Sequence, residues 1–484
     1  MNQAFNVVKV EKWVAFATFF LVSAFVMVAL PASAADYRSP EVHTYEVTKK
    51  GRTQTQQGSF LAFDEAQDDG GTVAVGDVNG DGIDEIIVAA GPGSAPVIQV
   101  WTGAGEKLSE FMAFPENVNI GLTVASGDLN NNGTDEIVVG TMRGGGPQVR
   151  VFNMNGDTKF TPGFFAYDEG FRGGVNVAVG NVDGKGGDEI VTGAGGGGGP
   201  HVRVFNKYGK FKGVDFFPFG SNDKGGVSVA VVNVDGGKEE EVVTAIHSFG
   251  EPWVKVYKYG VQETILGEFK AYDSSYRGGV MVGGADIDND GVEEIITGTR
   301  QAGGPHIRFF KGHGAVVSGG FNAYEEDFRG GVSVAAGNID GDSKTEVVTM
   351  PMKKIVEGRL DVFKYIEVDL ATQTLRAYRN GVKENEFLIS SGIDKYPSPE
   401  GEFRILAKLP THDYQWSYGP EHPDNYDLKN VANNLRFNGH YYFHYAYWHN
   451  NFGHKMSNGC ININEENSQW LYDWADVGDK VYVY

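Results

Sequence analysis

The only cysteine in the 484 residues, Cys460, stands in the run Ser457-Asn458-Gly459-Cys460-Ile461-Asn462. A lone thiol has no disulfide partner in its own chain, so it is either buried filler or a reactive group. The neighbourhood favours reactivity. Gly459 and Asn462 suit a turn that lifts the sulfur into view and lets backbone N–H groups converge beside it. Upstream, Tyr441 to Trp448 alternates as a strand would, placing His440, Tyr442, His444 and Ala446 on one face. Histidine is the side chain most able to take a proton from a thiol near neutral pH, so the expected chemistry is nucleophilic catalysis by sulfur. A rival is zinc, held by His440, His444, His449, His454 and Cys460; the flanking sequence is strand-like and lacks the glutamate of a His-Glu-x-x-His helix.

A second constellation is acidic and repeated. Asp286, Asp288, Asp290 and Glu294 put carboxylates at positions one, three, five and nine of a loop turned by Gly291, and Asp77, Asn79, Asp81 and Glu85 repeat the spacing. Oxygen ligands at alternate positions are what a hard cation such as Ca²⁺ needs, with the carbonyls of Val292 and Ile83 completing each shell. Asp128, Asn130, Asn132 and Glu136 offer less charge and weaker binding. Asn338, Asp340, Asp342 and Glu346 have the ligands although Ser343 replaces the glycine. In a further copy Lys185 occupies the fifth position, where a resident ammonium excludes the metal; another, with Asn233, Asp235 and Glu241 around Gly237, stays unassigned. The alternative for all of them is that Asp, Asn and Gly are simply good turn formers.

These loops belong to a unit of about 50 residues, written six times between residues 59 and 363, a period typical of propeller blades. Its opening strand reads Val73-Ala74-Val75, Val124-Ala125, Val177-Ala178-Val179, Val229-Ala230-Val231, Val282-Gly283 and Val334-Ala335 in turn. A second strand follows (Glu85-Ile86-Ile87-Val88), then a Gly-Pro turn and a third (Val202-Arg203-Val204-Phe205). A fourth ends in an aromatic pair, as at Phe164-Phe165-Ala166-Tyr167 and Phe321-Asn322-Ala323-Tyr324. The fold class expected is mainly β: a six-bladed β-propeller followed by a smaller β-rich domain. Seven blades result if the end pieces are counted differently. Thr44 to Val47 and Ser59 to Phe63 are expected to supply strands that close the ring. His201 and His306, after the prolines of Gly-Pro turns, read as strand-start residues.

Composition sets the surroundings. The chain has 68 glycines and a formal net charge of −22. Such an acidic balance excludes nucleic acid as a partner and suits calcium or a cationic partner. Lys9 and Lys12, an apolar run from Trp13 to Leu30 and the small residues Pro31-Ala32-Ser33-Ala34 make residues 1–34 an export signal, or else an uncleaved membrane anchor. The mature chain is then expected in the cell envelope: periplasm, cell wall or outside. The expected division is 1–34 signal, 35–58 an N-terminal segment with a ring-closing strand, 59–363 propeller and 364–484 the thiol-bearing domain.

From about Tyr365 to Tyr484 the chain resembles the catalytic domain of the L,D-transpeptidase (YkuD-type) family. The motifs are an opening hairpin through Ile366, Val368, Gln373, Leu375 and Tyr378, then Ser390-Ser391-Gly392, Pro397-Ser398-Pro399-Glu400-Gly401-Glu402-Phe403, the strand histidine, the cysteine turn, and a closing helix and strand at Trp470-Leu471-Tyr472 and Val477-Gly478-Asp479-Lys480-Val481. The repeats resemble FG-GAP units of integrin-like propellers. The resemblance implies that Cys460 attacks a peptidoglycan stem peptide and that a thioester forms, which an amine resolves into a cross-link. It implies His444 as general base, the Tyr445 carbonyl as orienter of its ring, backbone N–H groups at Asn458, Gly459 and Cys460 as oxyanion hole, and Ser457 as a turn-shaping residue. His449 and His454 are expected to position substrate. Asn458 stands where the family most often has histidine. Two alternatives are an L,D-carboxypeptidase and a wall-binding or adhesion protein whose enzyme domain has decayed. The propeller is expected to bind an envelope protein or glycan.

Overall fold

The computed structural model describes residues 40–47, 54–63, 70–260, 265–342, 344–352, 358–359, 362–379, 381–417, 419–422 and 425–484. The expected export segment and Ser343 lie outside them. Short runs of valine, isoleucine and threonine between glycine and aspartate turns favour strands over helices. The regular elements among the described residues are accordingly almost all strands, with one α-helix, Glu465–Trp474. No described helix is long and apolar enough to cross a membrane.

Residues 41–351 build six four-stranded antiparallel sheets. Five take four consecutive strands each. The sixth takes Val332–Gly337 and Glu346–Pro351 from the end of the run and Glu41–Val47 and Gln54–Leu61 from its start. His43, Thr44, Tyr45 and Glu46 face Thr349, Val348, Val347 and Glu346, so the first described strand is stitched to the last sheet. The six first strands, Gly71–Gly76, Leu122–Gly127, Val175–Gly180, Val227–Val232, Val280–Ala285 and Val332–Gly337, adjoin one another in that order, and the sixth meets the first.

Two sets of backbone bonds repeat at the two ends of these strands. The residue before a second strand reaches the opening residue of the neighbouring loop. Asp84 donates to the Asn338 carbonyl (3.0 Å), Asp135 to Asp77 (2.8 Å), Asp188 to Asp128 (3.0 Å), Glu240 to Asn181 (3.0 Å) and Glu293 to Asn233 (2.9 Å). The residue after each second strand donates to a glycine of the same sheet, as Met142 to Gly121, His247 to Gly226, Arg300 to Gly279 and Met352 to Gly331. Gly279 and Gly331 have φ of +92° and +98°, and a Cβ on either would meet the neighbouring sheet's carbonyl at 1.8 and 1.5 Å. Only glycine tolerates both conditions.

One expectation is corrected. The aromatic residues Tyr167, Tyr272 and Tyr324 fall just past the fourth strands, which end at Phe165, Lys270 and Asn322. Their hydroxyls donate to the carbonyls of His201 (2.7 Å), His306 (2.7 Å) and Glu41 (3.0 Å), partners outside their own hairpins that the chain must leave the ladder to reach.

The remaining residues form two sheets. A five-stranded sheet runs in the order Val382–Leu388, Thr374–Arg379, Lys364–Asp369, Lys480–Val483, Gly401–Arg404. A four-stranded sheet runs Ala407–Trp416, Tyr426–Asn438, Tyr441–Tyr445, Ile461–Ile463. Ile366, Val368, Phe437, Phe443, Ile461 and Ile463 share one core, each at most 1% exposed. At ~1.5–3 kcal/mol per buried large side chain, this core anchors the strands on either side of the cysteine. The helix is capped by Asn464, whose side chain accepts from the Asn467 N–H, and Glu465 and Glu466 suit its positive end.

The hairpin Thr374–Leu388 abuts the six sheets. Arg143 pairs with Glu384 and donates to the Arg379 carbonyl (3.2 Å), and the rings of Phe249 and Phe363 meet edge to face at 5.7 Å.

Candidate active site

Three separated stretches hold the turn that carries Cys460. Ser390 and Asn462 exchange both backbone hydrogen bonds at 2.9 Å, and the N–H groups of Met456 and Ser457 both donate to the Ser391 carbonyl (2.9 and 3.0 Å). Gln373, at the tip of the opening hairpin, clasps Ser391 with both ends of its amide: Nε2 donates to the hydroxyl (2.7 Å) and Oε1 accepts the N–H (2.8 Å). Ser398, 5% exposed, accepts the Gly392 N–H (2.9 Å) and donates to the Gly459 carbonyl (2.8 Å). Gly459 has φ +114°, and a Cβ there would lie 2.5 Å from the Tyr441 ring, so this position is closed to other residues.

Inside the turn, the Ser457 hydroxyl donates to the Cys460 carbonyl (2.5 Å) and accepts the Gly459 N–H (3.0 Å). Ser457 therefore shapes the turn. The same bond corrects the expectation for Gly459, whose N–H is already engaged and is not free to receive an oxyanion.

Strand Tyr441–Tyr445 lies parallel to Ile461–Ile463, with Phe443 opposite Ile461 and His444 opposite Asn462. It ends at Tyr445, short of the expected Trp448, and His440 sits in the turn before it. The Tyr445 carbonyl accepts from His444 Nδ1 (2.9 Å) at that end. A carbonyl only accepts, so Nδ1 carries the proton and Nε2 keeps its lone pair. His444, Asn458, Cys460 and Asn462 line one cavity of about 230 Å³ with Tyr414, Tyr426, Leu428, Trp448, Met456 and Ser457.

The cavity's walls set its electrostatics. The rings of Tyr414 and Trp448 stand 4.8 and 5.7 Å from that of His444, which is 3% exposed. Burial pulls its pKa down to about 4 and pushes the Cys460 thiol up to about 12. Both groups are neutral near pH 7. The thiol sulfur lies 3.8 Å from the His440 carbonyl, with no hydrogen bond to His444 among the described residues. Rotation of the Cys460 side chain toward Nε2 is needed before a proton can pass.

The two loop histidines part company. His449 Nδ1 accepts the Asn451 N–H (3.2 Å), which puts its proton on Nε2, 3.0 Å from the Asn462 amide. The amide orientation that satisfies this network turns the Asn462 oxygen to His449. His454 is exposed and does not line the cavity. Tyr414, Tyr426, Leu428, Trp448 and Met456 were not anticipated. The hairpin sets Tyr414 opposite Leu428 and Trp416 opposite Tyr426, and the alternation of His412, Tyr414 and Trp416 was the available signal. Among the described residues, the metal-capable side-chain groups are acidic and none contains Cys460 or a histidine, which leaves the zinc rival without a cluster.

The acidic loops divide by what already neutralises them. Asp340, Asp342 and Glu346, and likewise Asp286, Asp288 and Glu294, bring one oxygen each within 4.8 Å of the others. Burial, with repulsion from neighbouring aspartates, drives Glu85 and Glu346 up to about 7. In the second copy, Asn130 and Asn132 follow Asp128, and Glu136 Oε2 is buried with no partner among the described residues. In the fifth copy the Lys311 ammonium pairs with Glu294 and lies 3.3 Å from Asp290 and 3.8 Å from Asp288, although Asp288 Oδ1 is still unpartnered. Lys258 does the same for Asp235 (2.7 Å) and Glu241 (3.6 Å). In the third copy the resident ammonium is Lys212, at 2.6 Å from Asp183 and 2.5 Å from Glu189. Lys185, the expected occupant, is exposed at the turn tip, where its backbone N–H bonds to Asn181 and Asp183.

Comparison with protein families matches residues 363–483 to the YkuD L,D-transpeptidase catalytic domain and residues 77–139 to an FG-GAP-like repeat. The comparison with curated proteins gives no match. Similar solved structures include an L,D-transpeptidase from Mycobacterium smegmatis (24% identity, 30% of this chain and 75% of that one, TM-score 0.24). They also include a mutant L,D-transpeptidase from Enterococcus faecium (25% identity, 26% and 51%, TM-score 0.24), so that the match spans about half of the Enterococcus chain. A third is L,D-transpeptidase 3 from Mycobacterium tuberculosis in complex with a faropenem-derived adduct (20% identity, 30% and 74%, TM-score 0.24). Residues 363–483 are thus an L,D-transpeptidase catalytic domain of the YkuD family, carried in one chain behind an FG-GAP-like repeat.

Proposed function

We propose that this chain is an exported peptidoglycan L,D-transpeptidase that works through a thioester on Cys460, with its six sheets arranged as a six-bladed, calcium-binding β-propeller. The observation that carries the catalytic part is the shared cavity. It holds a lone thiol on a rigid turn and a neutral histidine whose Nδ1 is fixed on the Tyr445 carbonyl.

In this reading Cys460 Sγ attacks the carbonyl between the third residue of a stem peptide and its terminal D-amino acid, while the thiol proton passes to His444 Nε2. The N–H groups of Asn458 and Cys460 receive the oxyanion. Collapse of the tetrahedral intermediate breaks the C–N bond, and Nε2 returns the proton to the departing amine. The side-chain amine of a second stem then attacks the thioester and gives its proton to Nε2, which reprotonates the leaving thiolate. Thiol and imidazole both start neutral, so the proton moves with the attack and no resting ion pair precedes it. Water in place of the amine would give the carboxypeptidase outcome.

The decayed-enzyme alternative rests on Asn458 alone. That side chain is exposed at the cavity, while the bonds that fix the turn come from Ser391, Ser398 and Ser457. The propeller reading is supported by the cyclic order of the first strands and by the N-terminal strand in the sixth sheet. Calcium is supported best in the sixth loop, at Asn338, Asp340, Asp342 and Glu346, whose carboxylates converge with the Lys344 ammonium 3.6 Å from Asp342; the first loop, at Asp77, Asn79, Asp81 and Glu85, has the spacing without the same convergence. The second loop is weaker, and in the fifth the metal must displace Lys311. Docking to an envelope protein or glycan is the role proposed for the propeller. The test is incubation of the mature chain with a defined disaccharide-tetrapeptide and analysis of the products by mass. Loss of one D-amino acid per cross-linked dimer is expected; unchanged substrate from folded protein overturns the assignment.

A further inference from the structure

The six sheets line a second cavity of about 30 Å³, to which each contributes wall residues: Thr72, Met142, Asn176, His247, Arg300 and Met352, one from each sheet. It therefore lies on the axis they share. Val382, from the hairpin of the transpeptidase domain, closes part of it.

Arg300 is the unusual member. It is 7% exposed, its Nε has no acceptor, and among the described residues no carboxylate pairs with it. Glu384, the carboxylate at this joint, is already taken by Arg143, Arg379 and the Trp474 indole. His247, also 7% exposed, accepts from Asn176 Nδ2 at its Nδ1 (3.1 Å), so its proton stands on Nε2 as a further donor. A buried guanidinium without a counter-charge is strongly unfavourable. A single water needs about 10–15 Å³, so about 30 Å³ accommodates one monatomic anion or two waters.

We propose that this axial cavity binds a chloride-sized inorganic anion, held by Arg300 and His247 where the ring of sheets meets the transpeptidase hairpin. The anion supplies the counter-charge that no described carboxylate provides. It also neutralises the charge beneath Val382 beside the Arg143–Glu384 pair, so occupancy tightens the joint between the two parts of the chain.

The test uses the whole mature chain in two arms. Crystals grown in sodium bromide are expected to show an anomalous difference peak within contact distance of the Arg300 guanidinium. Melting is followed as chloride replaces gluconate at fixed ionic strength. The midpoint is expected to rise with the logarithm of chloride concentration in the wild type and to stay flat in Arg300→Gln, with Arg203→Gln, on the third strand of its sheet and away from the cavity wall, keeping the slope. Absence of the bromide peak, or an equal chloride slope in folded Arg300→Gln, overturns the proposal. A midpoint that responds to sulfate and not to chloride overturns the size assignment. Should Arg300→Gln fail to fold, the bromide arm decides alone.

Discussion

Replacing Ser398 by alanine removes the strut between the Pro-Ser-Pro stretch and the nucleophile turn. Its hydroxyl makes two buried bonds, from the Gly392 N–H and to the Gly459 carbonyl. Alanine leaves both backbone groups unpaired, at ~1–3 kcal/mol each, so about 2–6 kcal/mol of stability is at stake. At roughly 3 °C per kcal/mol, the transpeptidase domain should melt about 6–18 °C lower. The turn should also relax, because Gly459 is held from that side by this bond, and a 1 Å misplacement of a reacting atom costs on the order of 100-fold in rate. The assay pairs a melting curve with the rate of carbapenem acylation of Cys460 followed by intact mass. Ser398→Thr, which keeps the hydroxyl, should recover most of the rate. A Ser398→Ala protein that melts within about 1 °C of wild type and acylates at the wild-type rate would refute the strut argument.

Further predictions follow from the charges. With His444 at about 4 and the thiol at about 12, acylation should be flat from about pH 5 to pH 9; an inflection near the ordinary histidine value would contradict a buried neutral base. His444→Ala should slow acylation strongly, with little recovery below about pH 10 because the thiol itself stays protonated. Glu85 and Glu346 have folded pKa values raised from 4.5 to about 7, so the folded state binds more protons than the unfolded between those values, and without metal stability should fall as pH rises through that window. Calcium should therefore raise the melting temperature more at pH 7.5 than at pH 5, and an equal effect at both would count against metal in these loops. Lys311→Met should add a calcium equivalent or tighten binding measured by calorimetry, since it removes the ammonium beside Asp288, Asp290 and Glu294; an unchanged isotherm would place the metal elsewhere.

Local patterns were readable without the structure where they repeat or lie close in the chain. The six opening strands, the acidic loops and the cysteine turn each announce themselves by spacing over a few residues. The pairing of Thr44 to Val47 with the last sheet was legible because an open edge needs a partner. What escaped were contacts across strands and turns. Lys258 and Lys311 each directly follow a third strand, where the first two copies have Thr102 and Asn153, but only pairing shows that this position faces the acidic loop. Lys185 misled because position in a loop does not say which way a side chain leaves a turn. Tyr414 and Tyr426 lie far from Cys460 in sequence, and the hairpin that brings them over the thiol has no motif of its own. The engagement of the Gly459 N–H by Ser457 is a detail of one bond, which residue types alone do not determine.

A nucleophilic Cys460 served by a neutral His444 leaves a covalent mass signature. Mature protein mixed with a carbapenem near pH 7 should gain the mass of one ring-opened adduct, and peptide mapping should place it on Cys460. Under the same conditions His444→Ala should acylate far more slowly while still folding. Wild-type protein that gains no mass while Cys460 reacts with a small alkylating agent, or an adduct that forms as fast in His444→Ala, would contradict the claim.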